Sequence, residues 1–320
     1  MNYKQLTRFY DDLATMLNSG LTLQRGVALM KKGKKDSLLW MLDSLHDYLG
    51  RGGALWEGMK QFPKHFDPFQ IMTVKAGEES GTLVDTMRGL SRYYEMREKE
   101  RKRLIGGLIY PVVLLHAVVL LPPLKYLIVS SLDRSYWSIV LPVLLTAYCI
   151  TGFGVFLWKT ILKDGPFRQR VDEIILGIPY LGKLTGGMAL VRVFHALSGL
   201  YNAGVPPVMA ARQSVATAGN QAIAQKLESA LPVLENGGTF TNFFSFAAVL
   251  PPTQLGILSV AEETGTLPES LQRMAMQMEE DTAQRFTSFI KTLGYLAYLV
   301  AASIVAYTVV SFYSGYFTLV

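Results

Sequence analysis

The chain has 320 residues, of which 50% are hydrophobic and only 18% are charged, and it carries one cysteine. Soluble proteins usually have a larger charged fraction, so the composition indicates that part of the chain lies in a lipid bilayer. One cysteine excludes a disulfide framework within the chain, and the four scattered histidines give no Cys/His metal cluster. The net charge of +6 fits either nucleic acid or a membrane until the positions of the basic residues are considered.

Residues 1–103 are predicted to form a polar, helical region. Apolar side chains recur every three or four positions, as in Leu6, Phe9, Leu13 and Leu17, which is the period of a helix with one buried face. The segment opens with polar and acidic residues instead of a basic and then apolar run. We therefore expect no signal peptide here and expect this region to stay in the cytoplasm.

Three later stretches are apolar enough and long enough to cross a bilayer, which requires about 20 residues. We predict transmembrane helices at residues 104–129, 135–158 and 292–320. Only a short polar turn at residues 130–134 separates the first two, so these two helices should be antiparallel neighbours. Residues 159–291 are predicted to be a linker followed by a second polar, helical region.

Basic residues flank the predicted spans on one side of the membrane. They precede the first span and follow the second, at Arg92, Arg97, Lys99, Arg101, Lys102, Arg103, Lys159, Lys163, Arg168 and Arg170. Because such residues are retained in the cytoplasm, both polar regions are expected to be cytoplasmic and the C-terminus periplasmic. This topology also accounts for much of the basic excess, so we expect no nucleic-acid partner.

The two polar regions contain the same motif. Residues 78–83 read EESGTL, and the nearly identical EETGTL recurs at residues 262–267. The offset between the two motifs also relates further identical pairs: Arg8 and Arg192, Leu13 and Leu197, Asn18 and Asn202, Gly20 and Gly204, Gly53 and Gly237, Phe62 and Phe246, Pro68 and Pro252. We conclude that the two regions are copies of one helical domain, each followed by a span.

Glycine and threonine residues predict where helices end and begin in both copies. Gly20 and Gly204 suit the left-handed conformation that ends a helix, and Gly81 and Gly265 should end the helix that carries the glutamate pair. The next helix is expected to begin directly afterwards and to continue into the membrane as a stiff rod. Its predicted capping boxes are Thr82 with Asp85, and Thr266 with Glu269.

Together these features resemble the GspF/PilC family, the polytopic inner-membrane platform proteins of type II secretion and type IV pilus machines. The resemblance rests on the paired domains, the order of the spans, AGEESGTL at residues 76–83, AEETGTL at residues 261–267, and Tyr110-Pro111 early in the first span. It implies an all-α membrane protein with two cytoplasmic helical bundles and three transmembrane helices. It also implies location in the bacterial inner membrane.

The resemblance further implies a function and a set of partners. Platform proteins have no enzymatic activity or cofactor of their own. They couple a hexameric cytoplasmic assembly ATPase to the extraction and polymerisation of pilin or pseudopilin subunits, alongside other inner-membrane assembly proteins and further copies of themselves. Two departures stand out. Many members carry an additional N-terminal segment, and the second copy has Gly294-Tyr295 where the first has Tyr110-Pro111.

Motifs that carry chemistry are nearly absent from the sequence. Residues 177–183, GIPYLGK, have the glycine and lysine spacing of a phosphate loop, but Leu184 replaces the required Ser or Thr and no strand is predicted before it. His116, within the first span, is either a proton-relay group or a neutral side chain hydrogen-bonded between helices, and we favour the second. We expect no catalytic residue and no metal site. The alternative function is a membrane transporter or channel-like protein with duplicated cytoplasmic domains, and a membrane-bound enzyme is the third possibility.

The adjacent glutamates of the two motifs are the most conspicuous acidic residues. Glu78-Glu79 and Glu262-Glu263 could pair with bases inside the domain, contact a partner or a second copy, or bind a cation. Each pair lies near the C-terminus of its predicted helix, where a negative charge gains nothing from the helix dipole. We therefore favour ion pairs inside the domain as the role of these residues.

Overall fold

The structure is a computed structural model, and it describes residues 1–31, 36–120, 141–142, 144–146, 148–149, 151–153 and 166–317. All regular secondary structure within these residues is α-helical. The first repeat consists of α1 (Tyr3–Asn18), α2 (Leu23–Met30), α3 (Asp36–Gly50), α4 (Leu55–Lys60), α5 (Pro68–Glu79) and α6 (Leu83–Leu120). The prediction of an all-helical fold is confirmed.

The second repeat has the same six helices in the same order. After α7 (Pro166–Gly177) come α8 (Leu181–Asn202), α9 (Pro207–Val215), α10 (Gln221–Glu235), α11 (Phe240–Ala247), α12 (Pro252–Glu263) and α13 (Leu267–Phe317). Helix α12 begins at the position equivalent to the start of α5, and α13 begins at the position equivalent to the start of α6. The predicted duplication therefore holds at the level of the helices.

Helix α1 shows why these segments fold as the sequence predicts. The side chain of Asn2 accepts a hydrogen bond from the Gln5 amide at 2.8 Å, and the Gln5 side chain accepts one from the Asn2 amide at 2.9 Å, which closes a capping box. The apolar face, including Leu6 and Leu13, is buried. The chain leaves the helix at Gly20, whose φ is +84°, as predicted for a left-handed helix end.

The structure divides into two compact units. The first contains Met1–Glu100 and Asp172–Thr282, so both repeats share one unit, and the second contains Arg101–Val171 and Ala283–Val320. The core of the first unit is built from both repeats, and the largest of its fully buried side chains include Tyr10, Phe66, Phe194, Phe243 and Phe244. The two helical domains predicted from the sequence are thus packed together as one body.

Within the described residues, α13 is long and apolar enough over Leu267–Tyr307 to cross a membrane. Helices α7 and α8 pass the same criterion only as a pair bent by 119°, but α8 is largely buried inside the first unit, as a core helix would be. The predicted span at residues 292–320 falls on α13 up to Phe317.

The other two predicted spans fall only partly on described residues. Helix α6 covers residues 104–120 of the first, and the described residues between 141 and 153 of the second are helical. The predicted turn at residues 130–134 lies outside the described residues. One span is therefore supported by the structure, and the set of three stays a prediction.

In the second unit, α6 packs closely against α13. A side chain at Gly107 would come within 2.8 Å of Ile290 Cγ1, and one at Gly294 would lie 3.5 Å from the ring of Tyr110. Tyr110 and Gly294 occupy equivalent positions of the two repeats. The sequence difference between the copies at this position therefore places the ring of Tyr110 against a glycine. Pro111 lies inside α6 and does not end it.

His116 is hydrogen-bonded on both ring nitrogens. Its Nδ1 lies 2.7 Å from the Val112 carbonyl oxygen, and its Nε2 lies 2.5 Å from the Tyr148 hydroxyl. A neutral imidazole can donate to the first and accept from the second. His116 is thus hydrogen-bonded, as favoured from the sequence, and the choice between a neutral side chain and a proton-relay group stays a prediction.

Candidate functional site

The glutamate pairs lie at the ends of α5 and α12, where each chain segment turns into the following long helix. Gly81 and Gly265 have φ values of +76° and +70°, a conformation that glycine adopts without steric cost. Both helix ends therefore fall where the sequence predicts. We call residues 78–83 the first turn motif and residues 262–267 the second turn motif.

Glu78 binds the N-terminus of a neighbouring helix. Its two carboxylate oxygens accept hydrogen bonds from the amides of Leu55 and Trp56 at 2.9 and 3.3 Å. These amides open α4, whose N-cap residue Ala54 has no side-chain acceptor. Glu78 thus satisfies two amides that an alanine cap leaves unpaired, and its charge faces the positive end of the helix dipole.

Glu262 does the same in the second repeat. It accepts from the amides of Phe240 and Thr241 at 2.5 and 3.1 Å and from the Thr241 hydroxyl at 2.5 Å. Here α11 also has its own cap, because the Thr239 hydroxyl accepts from the Asn242 amide at 3.2 Å. The arrangement is therefore a feature of the repeated domain.

These contacts correct the role favoured from the sequence for the first glutamate of each pair. Glu78 and Glu262 are held inside the domain, but by helix N-termini in place of basic side chains. The helix that carries each glutamate gives it no favourable dipole, but the fold brings the N-terminus of a different helix against it. The second glutamates are exposed, with Glu79 3.7 Å from Lys75 and Glu263 3.4 Å from the Ser259 hydroxyl.

The predicted capping threonines are placed directly before α6 and α13. The carbonyls of Thr82 and Thr266 accept the first helical hydrogen bonds, from Thr86 and Ser270. The Thr82 hydroxyl contacts the Ser80 hydroxyl at 2.8 Å, and Asp85 lies 3.7 Å from Arg88. The side-chain hydrogen bonds of the two predicted capping boxes, Thr82 with Asp85 and Thr266 with Glu269, stay predictions.

The first turn motif contacts the second repeat. The Ser80 and Thr82 hydroxyls lie 3.0 and 3.5 Å from the carbonyl oxygen of Ala203, which follows the end of α8. A side chain added at Gly89 of α6 would lie 3.7 Å from the Cα of Gly199. The two glycines therefore allow α6 and α8 to approach closely.

An ion-pair network that the sequence did not predict joins the same two helices. Arg192 of α8 donates two hydrogen bonds to the carboxylate of Glu100 and one to the Ala218 carbonyl. Glu100 also lies 3.3 Å from Arg97, which donates to the Tyr3 hydroxyl at 2.8 Å. The partners are separated by as many as 94 residues, so no local spacing in the sequence signals the network.

A buried polar cluster in the first repeat has no full counterpart in the second. The Tyr10 hydroxyl donates to the Gln70 side chain at 2.7 Å, and the Tyr94 hydroxyl contacts Gln70 at 2.5 Å and donates to Asp67 at 3.0 Å. Burial, together with the charge of Asp67, raises the pKa values of Tyr10 and Tyr94.

The equivalent positions in the second repeat are Phe194, Met278, Pro251 and Gln254. Only the glutamine is kept. Its side-chain oxygen is buried and, within the described part of the chain, has no hydrogen-bond partner. In the first repeat the Tyr10 hydroxyl donates to the equivalent oxygen, and its replacement by Phe194 explains the unpaired atom.

The glycine and lysine segment at residues 177–183 does not have the context of a phosphate loop. It lies in the sharp bend between α7 and α8, so a helix and not a strand precedes it. Tyr180 has a φ of +82° at this bend. Among the described residues, no group of three or more His, Cys, Asp or Glu side chains is placed to hold a metal ion.

Comparison with known proteins identifies the duplicated domain. The family model of type II secretion system protein F matches residues 9–130 and again residues 193–315. The chain belongs to this family. The two matched segments begin at equivalent positions of the internal repeat, and the resemblance inferred from the sequence is confirmed.

Members of the protein F family from several bacteria are similar over nearly the whole chain. A type 4 fimbrial assembly protein PilC of Pseudomonas putida is 27% identical over 97% of this chain and 82% of its own length. A type II secretion system protein F of Aeromonas hydrophila is 23% identical over 93% and 82%. A type IV pilus assembly protein PilC of Thermus thermophilus is 26% identical over 99% and 83%.

Proposed function

We propose that this protein is the inner-membrane platform of a type IV pilus or type II secretion machine. The observation that supports this most directly is the family match, which covers both repeats at the offset of the internal duplication. The names of the relatives refer to pilus assembly and to type II secretion. None of the relatives reported above is named as a transporter. The proposed location is the bacterial inner membrane, with both repeats cytoplasmic.

The proposed role is to couple a cytoplasmic assembly ATPase to pilin or pseudopilin subunits, without enzymatic activity of its own. Other inner-membrane assembly proteins and further copies of this chain complete the proposed set of partners. The two repeats offer helical surfaces for such contacts. The turn motifs of both repeats stand directly before α6 and α13.

The test of this role separates binding from catalysis. The purified full-length protein is expected to hydrolyse no ATP and to co-purify with the assembly ATPase of its own machine. Lys183→Ala, with Lys226→Ala as a matched exposed control, should change neither result. ATP turnover that Lys183→Ala abolishes and Lys226→Ala preserves would show that the protein is an ATPase.

Coupling through the long helices can be tested separately. Helix α6 has 38 residues and α13 has 51, and a helix rises about 1.5 Å per residue. A proline at Glu98 or Ala283 costs about 3 kcal/mol or more and bends the helix. We expect Glu98→Pro and Ala283→Pro to stay inserted and to bind the ATPase but to block fibre assembly, whereas Glu98→Ala and Ala283→Ser assemble normally. Normal assembly by both proline variants at normal protein level would exclude rigid coupling.

A further inference from the structure

The contact between the two repeats uses different surfaces on each of them. The first repeat contributes α5, the first turn motif and the start of α6, and the second repeat contributes α8. Ala203, at the end of α8, is only 1% exposed. Arg192 and Glu100, both largely buried, pair across the same contact. Because the surfaces differ, each repeat retains the surface that the other has used.

The second repeat leaves its α12 face open where the first repeat has its α5 face covered. Thr73 of α5 is 1% exposed, whereas the equivalent Ile257 of α12 is 46% exposed. Val260, which is equivalent to the half-buried Ala76, is 59% exposed. Two neighbouring apolar side chains that face solvent at a position covered in the other repeat indicate a surface for a further helix.

The second turn motif is exposed beside these two side chains. Thr264 and Thr266 are equivalent to Ser80 and Thr82, and their hydroxyls lie 2.8 Å from one another. In the first repeat, the corresponding hydroxyls reach the carbonyl oxygen at the end of α8. We call Ile257, Val260, Thr264 and Thr266, together with Arg273 of α13, the open face.

Helix α1 is the counterpart of α8, and its matching side is exposed. Arg8, Asp11, Thr15 and Ser19 occupy the positions of Arg192, His195, Gly199 and Ala203, and all four are exposed. Ser19 follows the end of α1 just as Ala203 follows the end of α8. Its carbonyl group is therefore placed to accept from a second turn motif.

Two positions of the internal contact differ on the proposed surfaces. In the chain, Gly89 of α6 faces Gly199 of α8. The equivalent positions are Arg273 on the open face and Thr15 on α1, so a docked α1 would lie farther from α13 than α8 lies from α6. Gln284 stands at the position equivalent to Glu100, which pairs with Arg192. The docked contact therefore depends on the exposed apolar side chains of the open face and on the carbonyl group of Ser19.

We propose that α1 of one copy of this protein docks on the open face of a second copy and continues the contact that the repeats make within the chain. The interface is head to tail, since it joins two different surfaces, and such interfaces form rings when the rotation closes. This contact deepens the self-association included in the proposed function and rests on it. Its tests use the full-length protein, in membranes or purified in detergent, and do not involve the ATPase.

Cysteine cross-linking tests the docking geometry. In a Cys149→Ser background, a copy with Ser19→Cys and a differently tagged copy with Thr264→Cys are co-expressed and oxidised in membranes. A disulfide between the two tags is expected. Ser19→Cys with Ser229→Cys, an exposed residue on α10, is the matched control and should not cross-link. Cross-links only between like residues, or none at all, would overturn the proposed interface.

Substitution of the exposed apolar side chains tests the recognition. Ile257→Asp and Val260→Asp should each lower the association constant at least tenfold, measured from the oligomer fraction by native mass spectrometry in detergent. Ser229→Asp, at an exposed position of α10, is the matched control and should associate normally. Normal association by both variants, or an equal loss in the control, would overturn the proposal, while ATPase co-purification remains a separate readout of the proposed function.

Discussion

At the scale of single residues, the two repeats fill the same buried contact with different side-chain sizes. The smaller residue lies on the first helix in one repeat and on the second helix in the other. A side chain at Gly77 of α5 would meet Thr86 Oγ1 at 2.1 Å and Thr86 Cβ at 2.6 Å. The second repeat has Ala261 and Ser270 at the equivalent positions, and both are buried. The methyl group that is absent at position 77 is present at position 261, and the γ-methyl of Thr86 is absent from Ser270.

This exchange predicts coupling between the two positions. Gly77→Ala should lower the free energy of unfolding by about 1–3 kcal/mol, since overpacking forces the neighbours to move. Thr86→Ser removes the γ-methyl, which lies 2.9 Å from the added carbon, and should relieve part of that loss in the double variant, although the hydroxyl and Cβ of residue 86, which lie closer, remain. Thermal melts of the single and double variants in detergent measure the coupling. Strictly additive losses would show that the two side chains do not share this space.

The two buried glutamines give a matched prediction. Gln70→Leu removes the acceptor of the Tyr10 hydroxyl and should destabilise the protein by about 1–3 kcal/mol, because this buried hydroxyl loses its hydrogen bond, whereas the Tyr94 hydroxyl keeps Asp67. Gln254→Leu removes a buried oxygen that has no partner in the described part of the chain, so stability should stay the same or rise. Urea denaturation followed by circular dichroism compares the two. Equal losses would mean that Gln254 has a favourable contact.

At the scale of secondary structure, the structure gives the glutamates of the turn motifs separate roles. Glu78→Ala and Glu262→Ala should each cost about 0.5–2 kcal/mol, the usual range for loss of a helix cap. Glu79→Ala and Glu263→Ala, at exposed positions, should change stability by less than about 0.5 kcal/mol. Thermal melts measure this, and fibre assembly is measured in parallel. A normal melt with lost assembly in the Glu78 or Glu262 variant would identify a partner site instead.

Local sequence signals predict the helices well but not the contacts between them. The ends at Gly20 and Gly81 follow from their left-handed backbone, and the start of α6 follows from the polar turn before it. The partner of Glu78 could not be predicted, since the Leu55 amide lies 23 residues away and backbone amides leave no trace in a sequence. In the sequence, Arg192 stands out only as the repeat partner of Arg8, which is exposed and has a different environment.

At the scale of the whole molecule, the basic residues around the spans predict the topology. Cysteines introduced at Ser131 and Ser314 in a Cys149-free background should react with an impermeant thiol reagent from outside, whereas those at Ser37 and Ser229 should react only after permeabilisation. Residue 131 lies outside the described residues, so this expectation rests on the positive-inside rule. Labelling of Ser37→Cys in intact cells would invert the topology.

The sequence predicted two separate domains, whereas the structure places both in one compact unit. A few contacts between the repeats explain the difference. Periodicity reports which side of a helix is buried but not whether its cover comes from the same repeat. The contacts of Ser80 with Ala203 and of Glu100 with Arg192 join the repeats through side chains whose pairing only the fold defines. The family match was predictable because it depends on the motif and its offset.

The exchanged volumes at Gly77 and Ala261 also limit how the gene can recombine with itself. A crossover between the two duplicated coding segments that transfers only the α12 sequence into the first repeat would place alanine against Thr86. A crossover that also carries the start of α13 would bring Ser270 with it and keep the fit. Chimeras joined within residues 78–85 should therefore fold less well than chimeras joined after residue 86, even though the joined sequences are nearly identical there.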